Sequence, residues 1–264
     1  MPTTLERILA TTAATLPPLQ SRRSEFEAKA LGTPSPAGFL SRWDRKSVAL
    51  VAEVKRRSPS AGSISEGLDP AGHASRYALA GATAVSVLTD GPFFGGSLED
   101  LAEVNRAVGI PTLRKDFILD EVQIAEARIA GASAVLLIVR ALAPQRLREL
   151  LASARHFGLD ALVEAHDARE LDVALESGAT IVGINSRNLD DFRIDIDAAW
   201  ALIARMPKDV VAIAESGMAS KVDVEKAAAA GADGVLIGTA LSSAPDPSTL
   251  IREIVSVQRV GRAH

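Results

Sequence analysis

The sequence predicts a closed (β/α)8 barrel with an N-terminal helical extension. Two observations lead there: a fourfold internal repeat, and an alternation of strand-like and helix-like stretches eight times over. The repeats are Ala80-Gly81-Ala82 before TAVSVLT, Ala130-Gly131-Ala132 before SAVLLIV, Ser177-Gly178-Ala179 before TIVGIN and Ala230-Gly231-Ala232 before DGVLIG. Each ends a helix-like stretch on a glycine suited to the left-handed residue past a helix terminus, then enters a short apolar run typical of a buried strand. Recurrence about every 50 residues is too long for one βα unit and right for two. An open doubly wound sheet is the alternative. The even repeat and the lack of G-x-G-x-x-G after the first strand weaken it.

The elements follow in order. Residues 1–45 form the extension: 5–16 and 24–30 look helical, and PSPAGF reads as a connector. The extension either closes the barrel bottom or helps to cover a substrate, and pattern alone favours structural cover. Strands are expected at 47–55, 83–89, 110–117, 133–139, 160–165, 180–185, 210–216 and 233–238. Helices are expected at 70–80, 98–108, 121–130, 144–157, 168–176, 196–206, 220–230 and 247–257. Asp69-Pro70, Ser97 and Asp246-Pro247 supply capping or first-turn signals. The whole chain, 1–264, reads as one barrel domain.

Composition excludes several classes. With 264 residues, 47% hydrophobic and 23% charged, the chain can bury a sizeable core and is not dominated by disorder. The lack of cysteine removes disulfides, thiolate nucleophiles and Cys-ligated metal sites. A net charge of −4 argues against a nucleic-acid partner. No apolar run approaches the roughly 18 residues of a membrane span. The N-terminus lacks the basic start and apolar core of a signal peptide, so a cytoplasmic protein is expected.

Chemistry in such a barrel belongs at the C-terminal ends of the strands. Those ends read Glu53-Val54-Lys55, Arg114-Lys115-Asp116, Glu164, Asn185-Ser186-Arg187 and Glu215-Ser216-Gly217. Residues two apart share a face, so Glu53 and Lys55 point with Val51, and Asn185 and Arg187 with Gly183. Two of only seven lysines fall at strand ends. Burial and neighbours can lower a lysine into acid–base range. Ion pairs trimming a barrel mouth would explain any one of these groups, but not the whole set on one rim. Glycines at Gly217 and Gly238-Thr239 follow the seventh and eighth strands, where barrels often bind phosphate through backbone N–H groups. The histidines His73, His156, His166 and His264 are scattered. His166 reads as a loop or capping residue, since a metal site there lacks two further ligands. Arg56-Arg57-Ser58-Pro59-Ser60 reads as a mobile lid facing an anionic substrate.

Taken together, VAEVKRRSPS, VLTDGPFFGGS, LRKDFI, LVEAHD, IVGINSRNL, AESGM and GVLIGTAL resemble, in order, the motifs of the indole-3-glycerol-phosphate synthase family of tryptophan biosynthesis. The match runs from about Ser47 to Leu241, in register with every strand. Three positions depart from the family pattern. Ala165 replaces a β-branched residue, Thr239 a serine, and Ala61 a lysine often found after Ser-Pro-Ser.

The resemblance implies a decarboxylating, dehydrating ring closure of 1-(2-carboxyphenylamino)-1-deoxyribulose 5-phosphate. Lys115 matches the general acid. Glu164 matches the acid–base residue of the dehydration, with Lys55 a second acid and substrate-carboxylate partner. Glu53 would hold the lysines, Asn185 would bond the reacting sugar, and Ser216 joins this catalytic group. Arg187, Ser216, Gly217, Gly238 and Thr239 would bind the anionic end, with Ser58 and Glu215 also on the binding side. Phe94, Phe117, Leu136 and Leu236 would wall the aromatic ring. The resemblance implies no metal, flavin or nicotinamide cofactor, and a small phosphorylated substrate as partner, with no nucleic acid or membrane. Oligomeric state is not legible, and a monomer is expected. Two other classes remain open: an isomerase barrel of the same pathway, which would need a Cys/Asp or Asp/Asp pair, and a silent barrel that only binds a phosphorylated ligand or a partner protein.

Overall fold

The computed structural model describes residues 2–65, 67–188 and 191–262, so His264, and Leu189 of one quoted motif, lie outside the described residues. Eight parallel strands close on themselves: β1 (Ala49–Val54), β2 (Ala84–Leu88), β3 (Thr112–Lys115), β4 (Ala134–Ile138), β5 (Asp160–Ala165), β6 (Ile181–Asn185), β7 (Val211–Glu215) and β8 (Gly234–Ile237), with β8 paired back to β1. The helices around and before them are α1 (Thr4–Gln20), α2 (Arg23–Gly32), α3 (Pro70–Ala80), α4 (Leu98–Ala107), α5 (Glu121–Ile129), α6 (Pro144–His156), α7 (Ala168–Glu176), α8 (Ile196–Ala204), α9 (Lys221–Ala229) and α10 (Ser248–Val255). Every barrel element lies where its sequence pattern places it, its ends trimmed by at most two residues. The four repeat glycines Gly81, Gly131, Gly178 and Gly231 all have positive φ, the left-handed geometry that ends a helix without a Cβ clash.

Strand alternation divides the apolar residues into two layers. Leu50, Ala52 and Val54 of β1 pack outward with the helices, whereas Val51 faces inward beside Leu113, Leu136, Leu162, Ile213 and Leu236. Register then fixes height: Glu164 is level with Gly183, Asn185 with Glu215, and Leu88 with Lys115. The inward face turns from apolar to charged only at the C-terminal ends, so the polar groups collect at one mouth.

The extension differs from its sequence pattern in one respect. α1 continues through Pro17 and Pro18 to Gln20 rather than stopping at residue 16. Both prolines lack the N–H that would bond the carbonyl four residues earlier, and the helix ends within a turn of them. At the end of α1, Gln20 and Arg23 bond Asp120 at 2.7 and 2.9 Å, beside the N-terminus of α5. Past α2, the Thr33 carbonyl accepts from Arg128, near the other end of α5. The chain then crosses the barrel bottom. The Phe39 amide donates to Asp160 at the start of β5, and the Trp43 ring occupies the space a Cβ on Gly234 would need. Residues 33–48 therefore close the bottom, while α1 and α2 run back from the mouth side.

Candidate active site

The mouth encloses a cavity of about 380 Å³, within the usual range for small-molecule sites. Lys55, Glu53, Lys115, Glu164, Asn185, Ser216, Ser58, Phe94, Phe117, Leu136, Arg187, Gly217, Leu236, Gly238 and Thr239 all line it. Of the residues picked from sequence, only Glu215 does not. Its side chain is 1% exposed and lies beneath Lys115. The pattern alone did not single out Leu88, Asp90, Ile138, Phe192, Ile194 and Met218, which are also part of the wall.

Lys115 is the centre of the charge cluster. Its ammonium donates to Glu215 at 2.7 Å and lies 3.7 Å from both Glu53 and Glu164. Burial opposes its charge, but the carboxylates of Glu215, Glu53 and Glu164 outweigh burial and hold the proton more firmly than in a free lysine. The lowering that burial can bring to a rim lysine is thus outweighed here by carboxylates from strands far away in sequence. Glu53 reaches Lys55 at 2.8 Å. Burial pushes its carboxyl up, yet Lys55 and Lys115 together hold it below the usual carboxylate range. Glu215 goes the other way: burial, reinforced by the neighbouring Glu164 and opposed by Lys115, raises it.

Two glycines make this packing possible. A Cβ on Gly183 would lie 2.0 Å from Glu215 Oε1, and one on Gly238 would lie 2.1 Å from Glu53 Oε1 and 2.9 Å from Lys55 Nζ. Gly238 was expected from sequence to admit an anion close to its backbone. Its missing side chain also makes room for the Glu53–Lys55 pair. Ser216 has φ 65 and Gly217 φ 74, consecutive left-handed residues that turn the chain into the cavity wall. A non-glycine residue there is uncommon, and such strain gathers at functional sites. Asn185 Oδ1 accepts the Arg187 amide at 3.0 Å, so the two rim residues brace each other.

The apolar side is equally built. Asp90 caps the short turn Gly91–Phe94, accepting from the Phe93 and Phe94 amides, which seats Phe94 6.1 Å from the Phe117 ring. Arg56 and Arg57, read from sequence as facing the substrate, point elsewhere. Arg56 pairs with Asp100, its Nη2 at 2.8 Å, and Arg57 donates to the Gly91 and Pro92 carbonyls at 2.9 Å. The segment after β1 forms a hairpin of Arg57–Ser58 against Gly62–Ser63, tied through Arg57 to the loop after β2. Ser58 keeps its place in the wall, its Oγ accepting the Ala61 amide.

His166 lies in the loop after β5, as one half of its sequence reading had it, and the cap of α7 is its neighbour Asp167. Its side chain is 4% exposed, with Nδ1 3.0 Å from Glu170 and Nε2 3.3 Å from Glu164. The sequence signal was present as Glu164-x-His166, two residues that share a strand face. No group of three or more His, Asp or Glu side chains among the described residues is arranged to hold a metal ion.

Comparison with known proteins adds a family. Residues 5–254 match the family model described as indole-3-glycerol phosphate synthase. The chain is 46% identical over 232 residues to the indole-3-glycerol phosphate synthase of Chlorobium chlorochromatii, covering 88% of this chain and 90% of that one. It is 43% identical over 263 residues to that of Opitutus terrae, covering 96% and 98%. It is also 47% identical over 226 residues to indole-3-glycerol phosphate synthase 2 of Streptomyces coelicolor, covering 86% and 88%. Among solved structures it resembles thiamine phosphate pyrophosphorylase from Pyrococcus furiosus with a TM-score of 0.58, covering 78% of this chain and 93% of that one. At 16% identity, this is a likeness of fold alone.

Proposed function

The chain belongs to the indole-3-glycerol phosphate synthase family, and from that premise we propose that its reaction runs in the mouth cavity with Lys115 as acid and Glu164 as base. The family reaction is a carboxy-lyase step of tryptophan biosynthesis. It converts 1-(2-carboxyphenylamino)-1-deoxyribulose 5-phosphate to indole-3-glycerol phosphate, carbon dioxide and water. The substrate is thus a small phosphorylated molecule. No helix of the described residues is long and apolar enough to cross a membrane.

In the first step the ring carbon bearing the carboxylate attacks the sugar carbonyl carbon. The carbonyl oxygen becomes a hydroxyl with the proton of Lys115. A proton held as firmly as this one is released only when strong negative charge develops beside it, as it does on that oxygen. Loss of carbon dioxide from the same ring carbon restores aromaticity. Dehydration follows: Glu164 removes a proton from the former sugar methylene, and the hydroxyl departs as water with a proton from Lys55. Glu53, between the two lysines, keeps both oriented. Asn185 bonds the reacting sugar, and Arg187 with Ser216, Gly217 and Thr239 receives the phosphate. Phe94, Phe117, Leu136 and Leu236 hold the benzene ring.

One observation carries this reading. The Lys115 ammonium lies 3.7 Å from Glu164, at the floor of a cavity with an aromatic wall on one side and two left-handed residues on another. The test is direct. Purified protein mixed with the substrate, without added cofactor, should develop indole absorbance and fluorescence with one carbon dioxide per indole formed, and absence of both would refute the reading. We further place the protein in the cytoplasm, as a monomeric single-domain enzyme without nucleic-acid or membrane partners. Light scattering of the purified chain tests the monomer.

A further inference from the structure

We propose that His166 is a positioning residue for this reaction: held in place by Glu170 and Arg140, its imidazolium aligns the Glu164 carboxylate and stabilises it in the proton-accepting form. The inference rests on Glu164 being the base.

The geometry is a chain of four side chains running away from the cavity. Arg140 Nε donates to Glu170 Oε1 at 2.7 Å. Glu170 Oε2 accepts both from the His166 backbone amide at 2.8 Å and from its Nδ1 at 3.0 Å. The far nitrogen, Nε2, is buried, makes no aligned hydrogen bond, and lies 3.3 Å from Glu164 Oε1. The other oxygen of Glu164, Oε2, is the one turned toward Lys115. One carboxylate therefore divides its two oxygens, with one toward the reacting centre and one toward the histidine. His166 itself does not line the cavity, so it acts through Glu164 and not on substrate.

Protonation follows from the donor inventory. A carboxylate only accepts, so Nδ1 facing Glu170 carries a hydrogen. In a neutral ring Nε2 would then be a lone pair facing the Glu164 oxygen, which is repulsive. A second proton on Nε2 turns that contact into an ion pair. The charged groups that face the ring are Glu164 from β5, Glu170 from α7 and Arg140 from the turn after β4. Lys115 lies beyond Glu164, and Asp167 is 3.9 Å from Arg140. Burial and Arg140 disfavour the imidazolium, while the Glu170 bond and two carboxylates favour it. The balance holds the ring proton more firmly than in free histidine. Glu164 at 2% exposed has little water to orient it, and the loss of this cation would leave it between the Lys115 ammonium and the neighbouring Glu215 carboxyl.

The experiment is kcat and KM from pH 5 to 9 for wild type, His166→Gln, His166→Asn, Glu170→Gln and Glu164→Gln, with melting temperatures alongside. His166→Gln should lower kcat roughly tenfold near neutrality and move the acid limb of kcat about one pH unit upward, the low end for removing an adjacent opposite charge. KM should stay near wild type. His166→Asn, which restores the bond to Glu170 but no charge, should show the same displaced limb, and Glu170→Gln a smaller one. If the His166 variants lose melting temperature or KM while their kcat–pH profile superimposes on wild type, the histidine is structural and the proposal falls. If Glu164→Gln keeps wild-type kcat, the base assignment falls and takes this proposal with it. Lost activity in Glu164→Gln with an unshifted His166→Gln profile overturns the positioning role alone.

Discussion

Lys115 Nζ donates to Glu215 Oε2 at 2.7 Å, closing the barrel mouth between residues one hundred positions apart in the chain. The nearest carboxylate to the proposed acid is therefore one that does not touch the cavity. Glu215 fixes the lysine from below and leaves its upper side to the reacting centre.

Removal of that lysine separates chemistry from packing. Lys115→Ala should fold, with kcat lower by about 10² to 10⁴-fold, the usual worth of an acid–base group. It also leaves Glu53, Glu164 and Glu215 without their shared cation. Glu215, already pushed up to about 7, would take up a proton at still higher pH. The melting temperature of the variant should thus fall further below wild type at pH 8 than at pH 5. A variant with more than about a tenth of wild-type kcat would contradict the role of Lys115.

Gly238→Ala distinguishes the two reasons for that glycine. Its Cβ would meet Glu53 Oε1 and Lys55 Nζ. The substitution should therefore reduce kcat by about tenfold to 100-fold through displaced catalytic groups, while inorganic phosphate binds as before. Weakened phosphate binding with intact kcat would place the phosphate against Gly238 instead.

The anion end has its own test. Inorganic phosphate should compete with substrate at about tens of millimolar and raise the melting temperature by binding the folded state. Arg187→Ala should raise KM about tenfold to 100-fold, as expected for a charged hydrogen bond, and remove the competition. Persistence of competition in this variant would move the phosphate away from Arg187.

Glu170 gives a pH signature in stability. Burial pushes its carboxyl up, but the His166 and Arg140 hydrogen bonds win and hold it down at about 2, against 4.5 for a free glutamate. A depressed carboxylate contributes stability above its unfolded value and loses it as pH falls toward the folded one. The melting-temperature gap between wild type and Glu170→Gln should be widest above pH 5 and should close between about pH 4.5 and 2. A gap independent of pH would show that shape, not charge, is what Glu170 contributes.

The barrel was legible because each half-barrel step repeats a local signal, a glycine ending a helix and an apolar run after it. The rim was legible because Glu53, Lys55, Lys115, Glu164, Asn185 and Arg187 interrupt those runs at their C-terminal ends. What stayed hidden depends on pairing across the barrel. That the Lys115 proton is held more firmly than in a free lysine was not legible, since the sequence does not show the carboxylates of β1, β5 and β7 converging on it. Arg56 and Arg57 looked like anion-facing groups because Asp100 and the carbonyls they brace belong to another loop. His166 is the exception, since its partners Glu164 and Glu170 lie only two and four residues away and the signal was in the sequence. Gly183 carried no signal at all until Glu215 was seen to occupy its missing side chain.

The central claim is that Glu164 is the base of the dehydration, and Glu164→Gln tests it most directly. Glutamine preserves the size of a side chain that is 2% exposed and keeps a polar contact toward His166, but it cannot accept a proton. Measured together, kcat, substrate Kd and melting temperature should show near-normal affinity, a folded protein and turnover at least about 100-fold slower. A kcat within about threefold of wild type, well inside the effect of losing an acid–base group, would contradict the account.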